Sequence, residues 1–415
     1  MSDNKSFCIL PFVHLYLEPK GEMKPCCIAG GFDEPLNLKT MTIEEAFNSQ
    51  QMKDLRKDML EGVRNKVCDV CYKKEDNTGY SPRLDFNKNT IWILPEINED
   101  YSVDSNFQHL DVRFSNLCNF KCRMCNHSFS SNWYDDYLNI KPWEVEGLPK
   151  LLKIDSIYDD LKKHLGNVKS IYFAGGEPMI MPEHYDTIKY LYDNTPIREY
   201  SMRRKISIHY NTNLSILKFE EKNLIDLWEG FERVFLSISC DGIGEVGEYQ
   251  RTGFKHDNFI KNLDTVTKYF YPGNSTSTDD GMYYNFQYTT TVWNAYHIFD
   301  FIQFMKKNRY IISTDSIDFY YAWEPNYASL NNITSSEKER LIEFLNTGIN
   351  TNELSDKTKN EIIRIIDFIK SENVVDIKHV TDYSDTLDRL NNTNVMQLNG
   401  VNFDKMKQEI SNAGE

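Results

Sequence analysis

Cys118, Cys122 and Cys125 fall within one eight-residue stretch, "CNFKCRMC". Thiolates are soft ligands, and such close spacing suits an iron–sulfur cluster or a zinc ion. A structural zinc site takes four ligands and leaves no position open. Three thiolates from one loop ligate three irons of a four-iron cluster and leave the fourth iron open to a substrate or cofactor.

A second set occupies the first fifth of the chain: Cys8, Cys26, Cys27, Cys68 and Cys71. The segment "FCILPFVHLYLEPKGEMKPCC" reads as two strands joined at Lys20-Gly21, a hairpin with Cys8 at its start and Cys26 and Cys27 at its end. A helical stretch, "TIEEAFNSQQMKDLRKDMLEG", separates it from "CDVCYKKED". Cys68 and Cys71 complete a four-thiolate site, a count that fits cluster and zinc alike. His14 is an alternative ligand, but the alternation of "FVHLYLE" makes it an ordinary strand residue. Cys240, the last of nine cysteines, is turned by strand alternation away from Ser239 and Asp241 and reads as a buried free thiol.

The elements that must position these groups alternate between strand-like runs and helix-period stretches from Gln108 to about Ala322, the mark of parallel βα units. Six strands are expected, over 109–115, 170–174, 206–210, 234–239, 283–292 and 316–322. Six units are too few for a closed eight-stranded barrel and suit a partial one, with its site at the rim where the strands end. Each strand is followed by polar or glycine-rich residues: the cysteine cluster, "GGEP", "NTN", "CDGIG", "WN" and "WEP". The polar run "YPGNSTSTDDG" at 271–281 reads as a loop. Trp293, Tyr321 and Trp323 stand at the rim as candidates to line a pocket, with core packing as the ordinary alternative.

The CxxxCxxC spacing, followed in order by "GGEP", the "NTN" loop and "SISCDGIGEVGEYQRTG", resembles the radical S-adenosylmethionine (radical SAM) superfamily over nearly all of 107–325. The resemblance implies a 4Fe-4S cluster held by Cys118, Cys122 and Cys125, whose open iron binds S-adenosyl-L-methionine. Reductive cleavage then yields a 5′-deoxyadenosyl radical that abstracts a substrate hydrogen. It further implies that Gly175, Gly176 and Glu177 receive the methionine ammonium, a charge-assisted contact for the carboxylate. Asn213, Ser239 and Asp241 fall to the ribose, Arg251 to the methionine carboxylate, and Met124 to the adenine, where an aromatic residue is more usual. Leu214 stands where the family usually has glycine.

The N-terminal segment is similar to the SPASM and twitch modules, in which a hairpin and a helix hold an auxiliary 4Fe-4S cluster. Such modules usually follow the barrel, and here the matching segment precedes it. The resemblance makes Cys8, Cys26, Cys68 and Cys71 the first choice of ligands, with Cys27 competing with Cys26, and favours the one-cluster twitch form. The expected organisation is an auxiliary module over 1–85, a linker over 86–106, a partial (β/α)6 TIM barrel of the α/β class over 107–330, and C-terminal helices over 331–415 packing on the barrel. Within the last, 383–394 is expected to cap the barrel mouth or the cluster module.

The 415 residues carry a formal net charge of -15, which opposes binding to a phosphate backbone. The short basic cluster "SMRRK" reads as a solvated strand entrance. No apolar run approaches a membrane span and no targeting segment opens the chain, so a cytoplasmic location is expected. In that compartment nine cysteines point to metal or redox chemistry rather than disulfides. The expectation is a radical SAM oxidoreductase or maturase that oxidises or cross-links a peptide or protein residue, with an electron donor such as a flavodoxin or ferredoxin. Alternatives are a dehydrogenase of a small sugar or cyclitol, a zinc-stabilised binding protein, and an iron–sulfur electron carrier.

Overall fold

The computed structural model describes residues 4–89, 91–153, 157–197, 202–273, 281–371, 377–394 and 401–413. Ser201 of the basic cluster and 274–280 of the polar loop lie outside them. The fold class is α/β, with a parallel-strand core of the partial-barrel kind and helices after it. Each of the six expected strands forms: His109–Val112, Ser170–Phe173, Arg204–Thr212, Phe231–Ser239, Gly281–Thr290 and Ile317–Tyr321. The chain divides into two compact units.

The first unit comprises Met1–Leu117, Leu148–Tyr210 and Lys222–Val234. Its sheet places the strand His14–Leu17 parallel to His109–Val112, which pairs with Ser170–Phe173, which pairs with Arg204–Thr212. Registered neighbours share a face because side chains alternate along each strand. One face carries the apolar rows Leu15, Leu110, Ile171, Ile208 and Leu17, Val112, Phe173, Tyr210. The other carries His14, His109, Ser170, Ser207 and Tyr16, Asp111, Tyr172, His209. The apolar face packs on the helix Pro182–Asn194, whose His184 ring meets Phe173 edge-on at 4.7 Å and reaches the Tyr210 hydroxyl at 2.8 Å.

The expected hairpin forms from His14–Leu17 and Glu22–Lys24, turning at Gly21 with φ 92°. Its approach differs from the sequence reading: Leu10–Val13 is a short helix, because Pro11 in its first turn suits a helical start. The expected single helix over 42–62 forms as two, Ile43–Phe47 and Gln50–Glu61. A capping box between Thr42 and Glu45 starts the first, and Gly62 in the left-handed region ends the second.

The second unit comprises Cys118–Gly147, Asn211–Glu221 and Phe235–Glu415. Gly281–Thr290 pairs in parallel with Ile317–Tyr321. The helix Asp356–Lys370 packs on the latter: the Phe319 amide donates to Glu361 at 3.1 Å, and Tyr321 stacks on Phe368 at 4.1 Å. The helices Ser335–Thr351 and Ile377–Asn391 bury the apolar residues that recur at helical spacing. Trp293 is fully buried and donates to Ser384 at 3.0 Å, whereas Trp323 is 68% exposed, so only the second is open to a ligand.

Candidate metal centres

In the second unit the cysteine loop is shaped by a two-residue ladder. Lys121–Cys122 pairs antiparallel with Arg251–Thr252, in the register Arg251 to Cys122. The Arg123 amide extends it to the Gln250 carbonyl at 2.9 Å, and a turn closes from the Cys125 amide to the Cys122 carbonyl at 2.9 Å. Trp133 donates its indole N–H to the Cys122 carbonyl at 3.2 Å. Gly253 is required where the returning chain passes: at φ 104°, a Cβ there would lie 2.8 Å from the Asn119 carbonyl oxygen.

All three cysteines of the loop are half-buried. Burial pushes the Cys122 thiol up, against the pull of the Arg251 guanidinium, whose Nη1 stands 3.7 Å from its sulfur. Burial, with Cys122 nearby, pushes Cys125 up to about 12. Such thiols stay protonated until a metal's positive charge replaces the proton.

Asp241 and Arg251, which the sequence reading assigned to separate contacts, meet directly. Nε and Nη2 of Arg251 both stand 2.7 Å from Oδ2 of Asp241. The carboxylate is fully buried and also accepts from the Thr289 amide at 2.8 Å. Burial pushes its pKa up, and Arg251 opposes that shift. Ser239 lies half-buried at the end of its strand.

Asn213 donates to Asn119 at 3.0 Å and accepts from the Ser215 amide at 2.9 Å. Between Asn213 and Ser215, Leu214 adopts φ 53° and is fully buried. The backbone therefore takes a conformation glycine favours although leucine occupies it, a strain of about 1–2 kcal/mol held by burial of the side chain. Met124 and Cys125 line a cavity of about 230 Å³ with Tyr137, Lys141, Glu324 and Tyr327.

Arg123, between Cys122 and Met124, was not singled out from the sequence. It is fully buried, donates through Nη2 to Asp388 and Thr393 at 2.6 Å each and through Nε to the Tyr249 carbonyl at 2.8 Å, and lies 3.6 Å over the Tyr249 ring. The 383–394 segment thus holds the cysteine loop itself. The missed signal was a charged residue between two cysteines of a tight loop.

In the first unit, Gly175 and Gly176 let the "GGEP" turn press against the end of the first barrel strand. A Cβ on Gly176 would sit 2.0 Å from the Leu117 carbonyl oxygen, and the Glu177 amide donates to that oxygen at 2.8 Å. Glu177 is buried, and its carboxylate accepts from the Met179 amide at 3.2 Å.

The N-terminal thiols come from four separate places: before the helix Leu10–Val13, after the strand Glu22–Lys24, in the turn Lys66–Cys68, and in the helix Asp69–Thr78. Long-range bonds gather them. The Gly30 amide donates to the Val67 carbonyl at 2.8 Å, Tyr72 donates to the Ser6 carbonyl at 3.0 Å, and the Ile9 amide donates to Asn87 at 2.9 Å. Burial pushes the Cys8 thiol well up, and Cys26, Cys68 and Cys71 each add to that shift. Burial likewise pushes Cys26 up to about 12, with Cys27, Cys68 and Cys71 adding.

Cys27 faces elsewhere. Its thiol is pushed up to about 11 by burial and then by Asp111, with Arg113 opposing. The structure therefore brings Cys8, Cys26, Cys68 and Cys71 within electrostatic reach of one another and sets Cys27 against the polar face of the sheet. Among the described residues no three Cys, His, Asp or Glu side chains converge tightly enough for a single metal ion. The donor types and their clustering fit iron–sulfur ligation in both units. His14 lies under His109, their rings stacked at 4.7 Å, and burial lowers it to about 4. Cys240 is fully buried and directs its thiol to the Gly242 carbonyl at 3.2 Å.

Residues 112–287 match the Radical SAM superfamily profile, and residues 8–72 match SPASM, an iron–sulfur cluster-binding domain. Among curated proteins none matches the chain. Solved structures that resemble it include anSMEcpe with bound AdoMet and Cp18Cys peptide, at 17% identity over 60% of this chain and 62% of that one, TM-score 0.36. Another is SuiB of Streptococcus suis bound to S-adenosylmethionine, at 15% identity over 72% of this chain and 62% of that one, TM-score 0.32. A third is TYW1 with a lysine-pyruvate adduct, at 10% identity over 62% and 76%, TM-score 0.29. The chain thus spans about 62% of the length of the first two. With the two profiles lying in order over the two thiol sets, the chain carries a radical SAM domain preceded in sequence by a SPASM-type domain, and the cofactors these domains imply are S-adenosylmethionine, the 4Fe-4S cluster that binds it and auxiliary iron–sulfur.

Proposed function

We propose that the protein is a radical SAM oxidoreductase or maturase that abstracts hydrogen from a peptide or protein residue and, with auxiliary iron–sulfur at Cys8, Cys26, Cys68 and Cys71, oxidises or cross-links it. The observation that carries this reading is the cysteine loop braced by the Arg251–Thr252 strand, which presents three half-buried thiols from one turn. When bound, the cluster and S-adenosylmethionine supply a one-electron cleavage that yields the 5′-deoxyadenosyl radical.

The chain's own residues bind and orient. Cys118, Cys122 and Cys125 would hold the cluster. Glu177, with Gly175 and Gly176, is assigned the methionine ammonium, Asn213 and Ser239 the ribose, and Met124 the adenine. Arg251 is assigned the methionine carboxylate while Asp241 neutralises and aims its guanidinium, which leaves Nη1 as the nitrogen free of that pair. Cys27 remains the second choice to Cys26. We place the auxiliary module at 1–85, the barrel at 107–330 and the helical segment at 331–415. We assign the enzyme to the cytoplasm, with a flavodoxin- or ferredoxin-type electron donor; among the described residues no helix is long and apolar enough to cross a membrane.

A small polar substrate is the second reading, favoured by the row Tyr16, Asp111, Tyr172 and His209 on the polar face of the first unit's strands. Anaerobic reconstitution tests the proposal: about eight irons per chain, and 5′-deoxyadenosine released under a strong reductant. Zinc without sulfide, or iron and sulfide without S-adenosylmethionine binding, would sink it. Deuterium passing from a labelled candidate peptide into 5′-deoxyadenosine would fix the substrate class.

A further inference from the structure

The polar face of the first unit has one end closed and one end charged. At the closed end His14 and His109 stack, and Phe86 and Trp92 lie against His109 at 5.5 and 5.3 Å. At the other end, where the parallel strands finish, Asp111 is buried and Arg113 follows it on the same face. Arg113 donates through Nε to Asp111 at 3.3 Å, and its guanidinium lies 5.0 Å over the Tyr16 ring. Tyr16 is itself tied to Glu18 at 3.0 Å, and Glu18 to Lys24 at 2.9 Å.

These contacts fix the guanidinium through one nitrogen and one face. Its two terminal nitrogens have no hydrogen-bond acceptor among the described residues, although the side chain is only 17% exposed. Left without an acceptor in the fold and not sealed from solvent, these nitrogens are open to a ligand from outside. A guanidinium fork held in place suits one partner above others, a planar carboxylate bound through both oxygens. The base of the side chain lies beside the "GGEP" turn: a Cβ on Gly175 would stand 3.2 Å from Cβ of Arg113.

We infer that Arg113 recognises a carboxylate of the substrate, from an acidic side chain or a C-terminus, with Asp111 and Tyr16 as the positioning residues that aim the fork. The inference rests on the proposed radical SAM activity. It assigns the substrate class an acidic group and gives Arg113 a role beyond its pairing with Asp111, which the Cys27 thiol also meets.

Equilibrium dialysis of the reconstituted protein with radiolabelled probes tests it. The probes are N-acetylglutamate N-methylamide for a side-chain carboxylate, N-acetylalanine for a terminal one, and N-acetylglutamine N-methylamide as the neutral control. At millimolar concentration one carboxylate probe should bind at least tenfold more tightly than the control, and which one it is names the source. Arg113→Gln should weaken that probe at least tenfold. Arg113→Lys, which keeps the charge and loses the fork, should fall between and shows that the first variant's loss is not misfolding. Equal binding of acid and amide, undiminished binding in Arg113→Gln, or no carboxylate binding to the wild-type protein overturns the inference. Loss of labelled S-adenosylmethionine binding in Arg113→Gln also overturns it, by giving the fork to the cofactor. Failure of the wild-type protein to release 5′-deoxyadenosine strikes the underlying activity instead, so the two failures are told apart.

Discussion

Three thiols of the second unit come from one short loop, and four of the first come from places spread over more than sixty residues, from Cys8 to Cys71. The two sets are built by different physics. In the loop, chain connectivity brings the sulfurs together, and a two-residue ladder to Arg251–Thr252 sets their orientation. In the N-terminal set nothing local brings Cys8 toward Cys71; packing and side-chain bonds such as Tyr72 to Ser6 and Asn87 to Ile9 do so. Closely spaced ligands identify a site from sequence, whereas dispersed ligands identify only a class of site until the chain is folded.

Breaking the local set should have the largest effect. Cys118, Cys122 and Cys125 all changed to alanine should abolish 5′-deoxyadenosine formation and remove about four irons per chain, read by chromatography and metal analysis. Undiminished turnover would overturn the assignment.

The dispersed set should discriminate between neighbours. Cys26→Ala should remove about four irons while leaving S-adenosylmethionine cleavage measurable, and Cys27→Ala should retain them. The reverse order would show that the Cys27 thiol, placed here against Asp111, turns inward to the cluster.

A third experiment tests how firmly the loop's brace is held. Arg251→Met leaves the buried Asp241 carboxylate without its counter-ion, at a cost of about 3–5 kcal/mol in urea unfolding. Adding Asp241→Asn should recover most of that loss, and a double variant as unstable as the single would show that the pair contributes little beyond its individual members.

The contrast is sharpened last by pH, where the change per unit is the smallest. Burial lowers His14 to about 4 and His209 to about 4, so above the unfolded value near 6.5 both states are neutral and neither group affects stability. As pH falls below 6.5 the unfolded chain takes up protons that the native one refuses. The first unit should lose stability progressively down to about pH 4, at about 1.4 kcal/mol per pH unit for each such histidine, and more slowly below it, because burial also holds His109 and His184 well down. Hydrogen exchange should show His14–Leu17 and His109–Val112 losing protection in that window before Gly281–Thr290, and His14→Phe should shallow the loss. Equal loss in all three strands would remove the distinction.

Much of the scaffold was readable because its signals are local. Alternation and short apolar runs mark each of the six barrel strands, and Gly176 of "AGGEP" is required where a Cβ would strike the Leu117 carbonyl. Other features were hidden for equally physical reasons. That His14–Leu17 joins the barrel strands rather than standing apart as a hairpin is a pairing across more than ninety residues, and strand pattern carries no address for its partner. Leu10–Val13 looks like strand by composition and is helical because Pro11 starts a turn there. The "D-x-R" alternation of Asp111 and Arg113 was on the page as charge within an apolar strand, but its meaning depends on which face the neighbouring strands bury.

From sequence alone came the kind of chemistry, since ligand type and spacing in "CNFKCRMC" are covalent properties of one short segment and survive any folding of the rest. What folding decided was partnership: Cys26 rather than Cys27 toward the other thiols, Asp241 with Arg251, Arg123 with Asp388, and the unmatched fork of Arg113 over Tyr16. Each of these depends on two residues meeting whose separation along the chain says nothing of their distance in space, and only the packed strands and helices set that distance.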